Sequence, residues 1–186
     1  MGEQSMKAAN TLNAWGSVTQ LFHWGMFLLI LLQYTLAYTM LDLPPSDQKW
    51  ALFDWHKQIG LTLLLLVFLR FWWRERHPIP KNSEKAPSWD HILSKANIWI
   101  LYILMFSFPL TGFLMTVLGG YSVSYFGLFT IPAFMEGPNI YAQSFLIAHI
   151  WISYILYVFV GLHILGGLYH HFIVRDNILL RMLPHT

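Results

Sequence analysis

The sequence predicts an all-α membrane protein, a bundle of four transmembrane helices. Three observations carry that prediction. Of 186 residues, 56% are hydrophobic and only 11% charged, less than half the roughly 25% charge that coats a soluble domain. Several apolar runs reach the ~20 residues that span a bilayer core. Nearly all Lys and Arg fall to one side of those runs, the bias that orients membrane helices. Disorder is excluded, an ordinary soluble globule is disfavoured, and a net charge of +2 is too small to argue for nucleic acid.

The chain reads as one membrane domain over residues 1–186. Met1 to Asn13 holds one Glu and one Lys and lacks the apolar core and cleavage site of a signal peptide, so the first hydrophobic segment is expected to remain as a span. That span covers about 18–41 and carries no charge. The second, about 52–73, is uncharged only from Gln58 to Leu69, which requires Lys57 and Arg70 to snorkel towards the interfaces. The third covers about 92–118. The fourth, about 141–174, would be roughly 50 Å long as a helix and should protrude beyond the hydrocarbon. Trp50, Trp55, Trp72, Trp73 and Trp99 sit near span ends, where aromatic belts belong.

Pro44-Pro45 separates the first two spans, and His77-Pro78-Ile79-Pro80 opens a polar linker that closes near Asp90. Gly119-Gly120 ends the third span. The apolar stretch from Tyr121 to Asn139 contains Gly127, Pro132, Gly137 and Pro138, and is expected to be a loop lying on the membrane surface. Of the 11 basic residues, Lys7, Arg70, Arg74, Arg76, Lys81, Lys85, Lys95, Arg175 and Arg181 lie on one side, and only Lys49 and Lys57 on the other. Both termini and the middle loop should therefore be cytoplasmic.

Cysteine is absent, which removes disulfides, iron–sulfur clusters, thiolate zinc sites and covalent haem attachment. The chemistry then rests on histidine. Four of the 9 His fall inside predicted spans: His23, His56, His149 and His163. Ionisable groups at that depth are costly and usually functional. His77 and His91 flank the linker, His170 and His171 close the fourth span, and His185 lies in the tail.

His149 and His163 are two heptads apart, a net rotation of about 40° and a rise of about 21 Å. They share a face at two depths. With alternating span directions, His23 matches the depth of His163, and His56 that of His149. Two imidazoles meeting across a bundle suit a bis-histidine haem, and Gly60, Gly161, Gly166 and Gly167 lie within a turn of these His to give it room. The competing reading is that each His is polar glue between helices; pairing of all four by depth weighs against it. Zinc or copper fits less well, because two His at one level lack the further donors such sites use. His170 shares the face of His163 but lies deeper. His23 is about 28 Å from Asp42, whereas His163 is about 36 Å and His170 about 47 Å from Asn139, so His163 is the better partner. Arg70, two heptads after His56, reaches the depth of the His23 pair, where it would either neutralise a haem propionate or anchor the span. Lys57 poses the same choice beside His56.

Local motifs follow one another along the chain: Phe22-His23-Trp24, His56-Lys57-Gln58-Ile59-Gly60 and Gly112-Phe113-Leu114, then Val123-Ser124-Tyr125-Phe126-Gly127 and Ile131-Pro132. The chain ends with Gly161-Leu162-His163, His170-His171-Phe172, Arg175-Asp176-Asn177 and Leu180-Arg181-Met182. In this order they resemble the bacterial cytochrome b561 family over nearly the whole length, the last stretch most specifically; Ile147-Ala148-His149-Ile150-Trp151 is a weaker match. The resemblance implies a four-helix bundle of the bacterial inner membrane enclosing two non-covalent b haems, with His23, His56, His149 and His163 as ligands to iron. It implies electron transfer between a periplasmic donor and membrane quinone, superoxide being one candidate donor. Asp42, Asp47, Asp54 and Glu136 outweigh Lys49 and Lys57 on the outer side, a formal charge of −2 that does not draw in an anion, although a pocket around Lys57 could. Two other classes remain open: a haem b subunit anchoring a larger oxidoreductase, and a small transporter using His as a proton relay.

Overall fold

The structure is a computed structural model describing residues 8–83 and 85–183. Lys7, His185 and Thr186 lie outside the described residues. Among the described residues four helices are long and apolar enough to cross a membrane: α1 (Ser17–Asp42), α2 (Asp47–Arg76), α3 (Ser88–Leu118) and α4 (Ile140–Tyr169), followed by a short α5 (Ile178–Met182).

Local chemistry sets the boundaries. α1 stops where Leu43 enters extended backbone ahead of Pro44, since a residue before proline is pushed out of the helical region. Ser46 caps α2 by accepting the Lys49 N–H. Asp47 occupies its first turn, and Arg74 and Arg76 its last, each at the end of the helix dipole that favours its charge. Asn139 starts α4 by accepting the Ala142 N–H at 3.0 Å.

The 121–139 segment is more ordered than the expected surface loop. β1 (Val123–Tyr125) pairs antiparallel with β2 (Phe129–Ile131), Val123 opposite Ile131. Between them Phe126 and Gly127 both have positive φ (49° and 73°), and the Leu128 N–H bonds the Tyr125 carbonyl at 2.9 Å. A turn with two positive φ values matches the twist of adjoining strands. The hairpin is fastened to α2: Gln58 Oε1 accepts the Phe126 N–H at 3.1 Å, the Thr62 and Tyr125 hydroxyls meet at 3.1 Å, and Trp55 contacts Phe126 edge-on.

The fourth span also departs from a plain helix. After Tyr169 the chain widens into a π-type turn, His170–Val174, which ends at Arg175 with φ 56°. α5 then folds back beneath α1, where Gln20 donates to the Arg181 and Leu183 carbonyls and Trp24 to that of Met182.

α1 packs on α2, α2 on α3 and α3 on α4, whereas α4 makes few close backbone approaches to α1 or α2. Side chains bridge that space. The buried cluster of Met26, Leu63 and Val67, backed by Ile30 and Met105, belongs to α1, α2 and α3. Leu63 and Val67 lie on α2 between His56 and Arg70, so this cluster divides the bundle interior into two ends. One carries the hairpin and the other the Arg70–Arg76 run; they are called the hairpin end and the basic end below.

Candidate functional site

The four intramembrane His meet in two pairs, one at each end. At the basic end, the His23 ring from α1 and the His163 ring from α4 have centroids 5.9 Å apart. At the hairpin end, His56 from α2 and His149 from α4 have centroids 6.3 Å apart, their planes near perpendicular at 85°. An imidazole nitrogen binds a first-row metal at about 2 Å, and it lies about 1 Å from its ring centroid. Two imidazoles sharing one metal ion axially therefore have centroids about 6 Å apart, so both pairs fit that requirement. No third His, Cys, Asp or Glu joins either pair among the described residues. A pair of donors without further protein ligands suits a group that brings its own equatorial donors, as a porphyrin does.

The hairpin-end pair opens on a cavity of about 310 Å³, lined by Ile30, Gln33, Leu63, Phe108 and Leu146 besides the two His. α3 contributes no His to either pair but holds the His149 ring. The Phe108 ring stacks on it with centroids 4.3 Å apart and planes 21° apart. His149 Nδ1 lies 2.9 Å from the Phe108 carbonyl oxygen. A carbonyl only accepts, so the proton sits on Nδ1 and the Nε2 lone pair is left for a metal. Gly112 makes the close approach possible, because a Cβ there would lie 2.8 Å from His149 Cε1. His56 is held differently. Gln33 Nε2 donates to its carbonyl at 2.9 Å, while its buried Nδ1 and Gln33 Oε1 both lack partners among the described residues.

At the basic end Arg70 turns inward. Its Nη2 lies 3.2 Å from His23 Nδ1, and its guanidinium carbon sits 5.7 Å from the centre of the Tyr102 ring. Trp24 meets His23 edge-on at 5.2 Å. Arginine only donates, so His23 Nδ1 is the acceptor in this contact and the proton lies on Nε2. A metal held through His23 Nε2 would require the proton on Nδ1, and the guanidinium would then be free for an anionic group. Lys57 has a separate partner, Asp54, at 2.6 Å, and lines the cavity beside His56.

His170, the rival to His163, is turned elsewhere. Its ring lies between Asp176 at 2.7 Å and Asp90 at 3.1 Å, all three side chains buried or nearly so. It fastens the start of α3 to the π-type turn. Burial alone would raise the Asp176 carboxyl, but the Ile178 N–H, hydrogen bonds from His170 and Ser83, and the His170 charge outweigh it and hold the group below its ordinary value.

Of the glycines expected to make room, Gly161 and Gly166 have nothing within 4 Å of an added Cβ, whereas at Gly60 it would meet Gln33 Nε2 at 3.1 Å. Gly60 thus admits the residue that holds the His56 backbone. Sequence reasoning missed Gln33, Phe108 and Thr111, whose hydroxyl lies 3.3 Å from His149 Nδ1, and it named Gly112 only within a motif, without its place against His149. The available signal was Thr111-Gly112 on the one span without an interior His, at the depth of His149.

The family model described as Prokaryotic cytochrome b561 matches residues 14–185. The chain belongs to the prokaryotic cytochrome b561 family. It is 28% identical over 179 residues to "Cytochrome b561 homolog 2" of Escherichia coli (strain K12), covering 96% of this chain and 95% of that one. It is 28% identical to "Probable superoxide oxidase CybB" of Yersinia pestis, covering 87% and 91% of the two chains. "Cytochrome b561 homolog 1" of Escherichia coli (strain K12) is likewise 28% identical, over 170 residues. As a cytochrome b561, the protein is a multi-pass membrane cytochrome that uses b-type haem for electron transport.

Proposed function

We propose that the protein moves single electrons between the two sides of the bacterial inner membrane through two b haems, one held by His23 and His163 and the other by His56 and His149. The observation that carries this reading is the meeting of four His as two pairs at separate depths. When bound, haem supplies reversible one-electron oxidation and reduction. The His pairs would supply both protein ligands to each iron, which would deny small ligands access to it and leave outer-sphere electron transfer. Arg70 sits where it can hold a propionate at the basic end, and Lys57 occupies the matching position at the hairpin end. Attachment is non-covalent, since the chain has no Cys.

The basic end faces the cytoplasm in this reading, supported by the bias of Lys and Arg. The hairpin end then receives a periplasmic donor, and membrane quinone takes up the electrons. The likeness to the Yersinia pestis protein makes superoxide the first donor to test. Purified protein in lipid nanodiscs should show a reduced-minus-oxidised b-type spectrum. It should be reduced by superoxide and reoxidised by ubiquinone. Reduction only after a partner subunit is added would favour a membrane-anchor role, and a flat difference spectrum would overturn the redox reading.

A further inference from the structure

The two His pairs are alike in donors but unlike in neighbours. At the basic end a permanently charged guanidinium lies 3.2 Å from a ring nitrogen of His23. Asp90 and Asp176 at that end are closed on His170, and a propionate held by Arg70 would have its own negative charge cancelled by the guanidinium. At the hairpin end, the cation beside the pair, Lys57, is matched by Asp54 at 2.6 Å. There His149 Nδ1–H donates a hydrogen bond to the Phe108 carbonyl at 2.9 Å, which raises the basicity of the ring as a ligand.

These surroundings act in opposite directions on an iron centre. Reduction removes one unit of positive charge from iron, so a nearby cation in a low-dielectric interior favours the reduced state. A more basic axial imidazole favours the oxidised state. Building on the ligand assignment proposed above, we propose that Arg70, beside His23, gives the basic-end centre a higher reduction potential than the hairpin-end centre, so that electrons run downhill from the hairpin end to the basic end. In that step one electron leaves the hairpin-end iron, oxidising it from ferrous to ferric, and reduces the basic-end iron from ferric to ferrous. No bond is made or broken and no proton moves. The two centres lie about 20 Å apart along the bundle, and the Met26, Leu63 and Val67 cluster lies between them.

The test is a spectroelectrochemical titration of the full-length haem-loaded protein in nanodiscs, with haem content measured alongside. Wild type should titrate in two components. His23→Ala should remove the higher-potential one. Arg70→Gln should lower that component and leave the other in place, and Arg70→Lys, which keeps the charge, should restore part of the shift. Loss of the lower-potential component in His23→Ala overturns the ordering while leaving the ligand assignment intact. An Arg70→Gln variant that retains both haems with unshifted potentials, or with only the lower one shifted, overturns the role of Arg70. If His23→Ala keeps both components, the ligand assignment itself fails.

Discussion

Replacing Gly112 with alanine places a methyl group against the His149 ring. The new Cβ would lie 2.8 Å from Cε1 and 3.1 Å from Nδ1, whereas non-bonded carbons settle at about 3.5–4.0 Å. The ring must retreat from α3 by roughly 0.7 Å to reach that range. Such a retreat stretches the 2.9 Å bond to the Phe108 carbonyl past useful length and opens the Phe108 stack. Overpacking of this kind costs about 1–3 kcal/mol, and losing a partner that orients a ligand typically weakens a metal site about 10–100-fold. Glycine to alanine inside a helix otherwise favours the helix by about 0.5–1 kcal/mol, so a loss cannot come from backbone propensity. We expect Gly112→Ala to retain the basic-end haem and to hold the hairpin-end haem about 10–100-fold more weakly. Haem per chain after challenge with excess apomyoglobin would measure this. Two haems retained as firmly as in wild type would refute the proposed role of α3.

The ligand pairs can be tested by a cycle of single and double variants. His23→Ala and His163→Ala should remove one common redox component, His56→Ala and His149→Ala the other, with non-additivity within pairs and near-additivity between them. His170→Ala should keep both components; its losing the component that His23→Ala loses, while His163→Ala keeps it, would reassign the ligand. Asp176 has a depressed carboxyl pKa, so its stabilising contribution is present above the unfolded value and is lost as pH falls through the folded one. Asp176→Asn should therefore cost about 1–3 kcal/mol near neutral pH and lose less than wild type on acidification below about pH 4, read by thermal melting across pH. Reporters inserted within Pro44–Asp47 should read periplasmic and those fused at the C-terminus cytoplasmic; the reverse readout would invert the orientation argued from the basic residues.

The parts of the architecture that follow from helix geometry were legible in the sequence. A rise of about 1.5 Å per residue and alternating span directions place His23 level with His163 and His56 level with His149, and the structure brings those rings together. The same arithmetic sets His170 apart, and its ring faces Asp90 and Asp176. Features that depend on rotation or on short-range backbone choices were not legible. Periodicity does not say that Phe108 and Gly112 face His149, because α3 is apolar around much of its surface. The hairpin was masked by an apolar stretch whose Gly and Pro read equally well as loop, and its turn needs Phe126 at positive φ, an uncommon state for an aromatic residue. Nor does composition distinguish a fourth span continuing to 174 from one ending in a π-type turn.

Haem per chain, measured by pyridine haemochrome on purified wild-type protein, tests the central claim most directly. Two His pairs at two depths predict two b haems per chain, both extractable by acid acetone because no cysteine is available to tether them. One haem per chain, or haem that resists extraction, would contradict the two-centre account.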